Sequence, residues 1–180
     1  MNLRFSLVAC FAVIAACSRR DPPTLAIEPS ATAKPAAPSD DPVIVDLKPS
    51  DGPLKTQIAR EKERAGARTF LVQTTATWCR PCVGLKKSMG DPLMKDALRN
   101  VRLVRIDIDD FSKEEVESIE LSAGSIPWFV KLDANFHPVD AITSNEWGDD
   151  IAPNMAPVLG AFVKGTYTTR KHPWKPGRWI

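Results

Sequence analysis

Thr69-Phe70-Leu71-Val72-Gln73-Thr74-Thr75-Ala76-Thr77-Trp78-Cys79-Arg80-Pro81-Cys82 is the stretch on which the reading of the fold turns. Residues 69–75 form a run rich in β-branched and apolar side chains, of the length expected for a buried strand. A turn through residues 76–78 leads into Cys79. Pro81 stands where a first helical turn would begin, since its missing N–H is one a helix start leaves unpaired anyway. A helix is therefore expected to run on to about Met89. Cys82 then lies one turn inside that helix, on nearly the same face as Cys79.

This placement has a chemical consequence. The thiolate is the nucleophilic form of cysteine, and a free thiol with a pKa of about 8.5 is mostly protonated at neutral pH. Unpaired backbone N–H groups and the macrodipole at a helix N-terminus favour negative charge. Cys79 is thus expected to be the exposed nucleophile. Cys82 is expected to attack the mixed disulfide that Cys79 forms and to release the reduced partner. Trp78 would shield the pair and present an apolar surface to a target chain.

The rest of the chain supplies elements to match. Leu54, Ile58 and Ala65 among charged residues predict an amphipathic helix over residues 54–65, ending near Gly66. After Asp91-Pro92 helical character resumes at residues 93–98, and residues 101–108 predict a second strand. Ser112-Lys113-Glu114-Glu115 is a capping-box pattern opening a helix to about Ser122. Residues 126–132 and 139–143 read as strands joined by a turn at Asp133-Ala134-Asn135. A last helix is expected over residues 155–164. Strands alternating with helices predict an α/β fold, a central mixed sheet with helices on both faces.

Trp78-Cys79-Arg80-Pro81-Cys82, between a hydrophobic strand and a helix, resembles the active site of the thioredoxin-like family, as does Ser125-Ile126-Pro127 before the third strand. The resemblance spans residues 54–164 and implies a thioredoxin-like fold and a protein thiol–disulfide oxidoreductase with Cys79 and Cys82 as the redox pair. It implies a cis Pro127 beside the cysteines, with the backbone of Ile126 free to pair with an extended substrate segment. No cofactor is implied.

Several positions depart from the family pattern. Gln73 stands where thioredoxins bury an aspartate, so either water or another carboxylate takes the proton of Cys82, or the second step is slower. Arg80-Pro81 replaces Gly-Pro, and Arg80 is expected to favour the thiolate. The absence of histidine from this dipeptide favours a reductant or isomerase over a strong oxidant. Trp128, where thioredoxins have threonine, predicts a bulkier and more apolar substrate groove. A long connection, residues 144–157 with Trp147, Asp149, Asp150, Pro153 and Pro157, is expected near the site as a selector of partners, or else as a solvated loop.

Ahead of the domain the sequence reads as an address. Arg4 and the apolar residues 5–16 make a signal peptide (residues 1–16), too short to span a hydrocarbon core. Ile14-Ala15-Ala16-Cys17 resembles a bacterial lipobox, which implies lipid on Cys17 and a periplasm-facing, membrane-anchored lipoprotein of the cell envelope; the alternative is ordinary cleavage within residues 13–18. Cys10 would leave with the signal peptide, so Cys79 and Cys82 would remain the only free thiols. Residues 17–53, rich in proline and alanine, read as an extended linker, in which Val43-Ile44-Val45 allows a short edge strand. The tail, residues 165–180, carries Trp174 and Trp179 among basic residues, suiting a membrane surface, a partner or packing on its own domain. Packing is the preferred reading.

A net charge of +2 with no dense basic cluster argues against nucleic acid. The expected partners are protein thiols and disulfides, with a membrane electron donor or acceptor. Two rival readings stay open. One makes Cys79 and Cys82 half of a metal site, although His137 and His172 lack ligand spacing. The other is a non-catalytic adaptor or holdase using the apolar groove.

Overall fold

A computed structural model of the chain describes residues 39–121 and 125–175. The signal peptide, Cys10, Cys17, the first part of the linker, Ser122, Ala123, Gly124, and Trp179 with the rest of residues 176–180 lie outside the described residues. In chain order the elements are β1 (Val43–Asp46), α1 (Leu54–Ala65), β2 (Thr69–Thr75), α2 (Arg80–Ser88), α3 (Pro92–Ala97), β3 (Val101–Asp107), α4 (Lys113–Glu117), β4 (Trp128–Leu132), β5 (Pro138–Thr143) and α5 (Ala152–Lys164).

The strand at residues 69–75 is the middle of a five-stranded sheet ordered β1-β3-β2-β4-β5. β1 and β2 pair parallel with β3, whereas β4 runs antiparallel to β2 and to β5. Side chains alternate across the sheet, which sends Leu71, Leu103, Phe129 and Ile142 to one core and Val72, Val104, Val130 and Ala141 to the other. The first core is closed by Leu85 of α2, Met94 of α3, and Met155, Leu159 and Phe162 of α5. Leu54 and Ile58 of α1 and Val116 of α4 close the second. Both faces are covered, as the α/β reading requires. On this face α5 packs against α3, where a Cβ on Gly160 would stand in ordinary contact, 3.4 Å from the Cα of Ala97.

The termini of the elements follow local chemistry. Cys79 is the N-cap of α2, with Pro81 in its first turn, and Asp91 caps α3 by accepting from the Leu93 N–H at 2.8 Å. Ser112 and Glu115 form the expected reciprocal capping box. Gly165, at φ 73°, ends α5 in the left-handed conformation.

Val43–Asp46 forms the edge strand β1 that the sequence allows at residues 43–45, pairing with Arg102–Arg105. Three expectations are corrected. The capping-box helix stops at Glu117 instead of about Ser122 and is followed by Glu120 at φ 56°. The third strand starts at Trp128, after the Ile126–Pro127 turn. The last helix starts at Ala152, so the connection before it ends well short of Pro157. Pro153 is tolerated there because a first-turn N–H has no intrahelical acceptor. The shortened connection contains a 3-10 turn, Ser144–Glu146.

Candidate active site

β2 delivers the chain to the C-terminal end of the sheet's central strand at Thr75, and the turn through Ala76, Thr77 and Trp78 sets Cys79 at the start of α2. Cys79 and Cys82 are joined by a disulfide, with S–S 2.05 Å and Cα–Cα 5.2 Å. The Cys82 backbone N–H points at the Cys79 sulfur from 3.2 Å. This is the donor geometry by which a helix N-terminus holds negative charge. A thiolate at Cys79 would sit in that geometry.

Ile126-Pro127 is a cis peptide, as the resemblance implied. The turn reaches the cysteines, and the Ile126 carbonyl oxygen lies 3.5 Å from the Cys79 sulfur. Ile126 and Ile108 pack half-buried against Ala76, Cys79 and Cys82. Ile126 precedes β4 and has no place in its register with β2. Trp78, Cys79, Cys82, Ile126 and Pro127 therefore meet in one place. Arg80 and Pro81 form the first turn of α2 there, with Arg80 exposed and Pro81 half-buried.

Two site expectations change. Cys79 is not exposed: only 3% of it is accessible, because the disulfide and the Ile126–Pro127 turn cover its sulfur. Trp128 does not line the groove. It is 1% exposed and packs in the core between the sheet and α1, since the first residue of β4 faces the opposite side from Phe129. The exposed apolar surface beside the disulfide comes instead from Trp78, 66% accessible, and from Val83 on α2.

The Trp78 ring is held by a partner that the motif does not contain. Its Nε1–H donates to Asp109 Oδ2 at 2.6 Å. Asp109 lies just past the end of β3, and the run Asp107-Ile108-Asp109-Asp110 was its only signal in the sequence.

A solvent-open pocket of about 400 Å³ adjoins Cys82 and is lined by residues that include Gln73, Thr75, Asp46, Arg105 and Asp107. Gln73 is buried, and its Oε1 has no hydrogen-bond partner among the described residues. Arg105 donates to both carboxylate oxygens of Asp46, at 2.6 and 2.7 Å, and holds that carboxyl below its ordinary range. Asp107 is pushed the other way. Burial raises its pKa, the Asp109 N–H opposes that, and the charges of Asp110, Asp109 and Asp46 push further up.

The connection after β5 also reaches the site helix. A Cβ on Gly84 would stand 2.6 Å from the Cβ of Asp150, so glycine is what allows α2 and this turn to touch. Asp150 accepts from the Trp147 Nε1–H at 3.0 Å, and Trp147 packs edge-on against Phe129. The segment is a packed wall of the site helix, not a solvated loop. Its buried anchor, Glu146, escaped the sequence reading. It accepts from the Tyr167 hydroxyl and from the Lys171 and His172 N–H groups, 21 to 26 residues further along. No local pattern marks such a long-range acceptor. The same bonds dock the described part of the tail onto the domain, as does Arg170, whose Nη1 and Nη2 donate to the Ala141 carbonyl and to Asp140.

The histidines stand apart from the cysteines. His137 pairs with Glu120 at 2.8 Å and His172 adjoins Glu146. No cluster of three or more metal-ligating side chains occurs among the described residues.

The strand order, the disulfide at the start of α2 and the cis Ile126–Pro127 turn together define a thioredoxin-like domain with a disulfide-forming cysteine pair. Among solved structures, the chain is similar to a thioredoxin from Trichomonas vaginalis, at 27% identity over 56% of this chain and 84% of that one, with a TM-score of 0.41. It is similar to a mutant thioredoxin from Halobacterium salinarum, at 15% identity over 74% and 96% of the two chains and a TM-score of 0.42. Chloroplastic thioredoxin z shows 20% identity over 68% and 96%, with a TM-score of 0.42. No family model and no curated protein sequence matches the chain.

Proposed function

We propose that this protein is a thiol–disulfide oxidoreductase that exchanges disulfides with protein partners through Cys79 and Cys82, working as a reductant or isomerase. The observation that carries the reading is the disulfide itself, at a helix N-terminus and beside the cis Ile126–Pro127 turn. Cys79 attacks a partner disulfide, and Cys82 then displaces the partner as a thiol. Trp78, Val83 and the backbone of Ile126 supply the surface on which an extended partner segment would lie. Arg80-Pro81, without histidine, supports the reducing direction.

Titration of the full chain in glutathione and dithiothreitol buffers, read by alkylation mass shift, tests this. A reversible two-electron couple below about −180 mV is expected. A value near −120 mV would make the protein an oxidant, and a pair that does not cycle would reject the enzyme. In the same protein Cys82→Ser is expected to trap partners as mixed disulfides on Cys79, whereas an adaptor would bind partners without a covalent link.

The tether belongs to the same proposal. The Ile14-Ala15-Ala16-Cys17 string supports lipid on Cys17, which would hold the domain at the periplasmic side of an envelope membrane, within reach of a membrane electron donor. Cys17→Ala is expected to move the protein from the membrane to the soluble fraction of a bacterial host. A variant that still sediments with membranes would refute lipidation at this residue.

A further inference from the structure

The oxidoreductase reading leaves one proton without a destination. To resolve a mixed disulfide Cys82 has to act as a thiolate, yet it is 3% exposed, and the open pocket that it borders is lined by polar and charged side chains. Gln73, the buried polar residue of β2 on this face, has no basic atom, since its amide oxygen is a neutral acceptor. The groups that share the pocket decide what takes its place.

Register puts the candidates on one face. Gln73 is the partner of Arg105, Thr75 is the partner of Asp107, and Asp46 is the partner of Arg105 on the other side. Alternation along the strands turns all of these toward α2, where Cys82 lies. Lys48, Lys86 and Arg105 present N–H donors and have no acceptor to offer. Asp46 is committed to Arg105 through both oxygens. Asp110 and Asp109 are exposed, and Asp109 holds Trp78. Asp107 remains: it is half-buried, it borders the same pocket as Cys82, and its one hydrogen bond comes from the Asp109 N–H at 3.2 Å.

We propose that Asp107 is the proton acceptor for Cys82 in the resolving step, acting from β3 across the pocket in place of a side chain at Gln73. This rests on the oxidoreductase reading. The pocket, about 400 Å³, is wide enough for water to relay the proton to a carboxylate that does not touch the sulfur. The Cys82 S–H proton passes to the Asp107 carboxylate as the sulfur attacks the Cys79 sulfur. The Cys79–partner S–S bond breaks, its electron pair leaves on the partner sulfur, and the Cys79–Cys82 bond forms. The cysteine pair is oxidised by two electrons and the partner disulfide is reduced by two, with the proton on Asp107 returned to the departing thiolate. The carboxyl is suited to this because burial and the charges of Asp110, Asp109 and Asp46, against the opposing Asp109 N–H, raise its pKa and make it a better base.

The test is single-turnover reaction of the pre-reduced full chain carrying Cys10→Ser and Cys17→Ser with 5,5′-dithiobis(2-nitrobenzoate), in which the first equivalent of thionitrobenzoate reports Cys79 attack and the second reports resolution by Cys82. Asp107→Asn is expected to leave the first phase within about twofold and to slow the second roughly tenfold or more at pH 6, with the gap closing toward pH 9. Asp107→Glu, or Gln73→Asp added to Asp107→Asn, should restore the second phase. A second phase unchanged by Asp107→Asn overturns the proposal, as does a slowed one that neither restoring variant recovers. Absence of the first phase in that chain with Asp107 intact would sink the oxidoreductase reading itself. Carboxyl carbon NMR of the unmodified protein gives an independent readout should the variant not fold. The Asp107 resonance should show a second titration step in the dithiol form that vanishes in the disulfide form, and a single step in both would count against Asp107.

Discussion

Replacing Cys79 by serine is expected to abolish disulfide exchange, lowering the rate by a factor on the order of 10³ or more. The hydroxyl that results stays protonated at neutral pH and cannot form a disulfide with a partner. The donor geometry at the start of α2, with the Cys82 N–H 3.2 Å from the sulfur, would then face a neutral oxygen. Stability should change little by comparison, because the disulfide closes a very short loop and the chain-entropy benefit grows with loop length. Insulin reduction with dithiothreitol as electron source, run beside a thermal melt, separates the two effects. Activity above about a tenth of the parent would show that the nucleophile lies elsewhere.

The largest effect on stability is expected at Glu146, far from any motif. Its side chain is fully buried and gathers three donors: the Tyr167 hydroxyl at 2.7 Å, the Lys171 N–H at 2.9 Å and the His172 N–H at 2.8 Å. Burial pushes this carboxyl up, and the three donors with the nearby His172 outweigh it, so its pKa falls below the ordinary glutamate value. Glu146→Ala strands those donors and opens a void, for a loss of about 3–5 kcal/mol. The midpoint should fall by roughly 10 °C or more. Limited proteolysis should then cut within residues 166–172, because the bonds that dock this segment are gone. A melt within about 2 °C of the parent would show that the tail is held by other contacts.

The same cluster gives a pH signature. Because the folded pKa of Glu146 lies below its unfolded value, its contribution is complete above about pH 4.5 and is lost as pH falls through the folded pKa. Tyr167 is pushed up to about 12, by burial and by its bond to Glu146, so its contribution is complete below about pH 10 and fades between there and 12. Denaturant unfolding across these two windows should show both losses in the parent and a smaller loss in each for Glu146→Ala.

Local signals were read well wherever the deciding contacts are local. The N-cap and proline of α2, the capping box at Ser112 and the apolar spacing of α1 act within a turn or two of themselves, and the elements form where those residues place them. Val43–Asp46, which the sequence allows as an edge strand, is one because β3 offers it a free edge. Local signals fall short where a distant partner decides. Trp128 looked like a groove residue from its place after Pro127, but alternation along β4 turns it into the core. Residues 152–154 join α5 although two prolines nearby suggested a loop, because Ala152, Met155 and Ala156 find the first core to bury into.

The cysteine pair, the helix that carries it and the α/β class were therefore legible in the sequence itself, and the cis proline turn only through the resemblance that Ser125-Ile126-Pro127 carries. Spacing along one chain is enough to put two sulfurs on one turn of a helix. Tertiary structure alone decided what surrounds them. Asp107 comes to the Cys82 pocket through strand register, Asp109 reaches Trp78 from the end of β3, and Glu146 collects donors from a tail more than twenty residues away. A carboxylate's chemistry depends on the burial and charges around it, and those are supplied by segments that sequence distance does not connect.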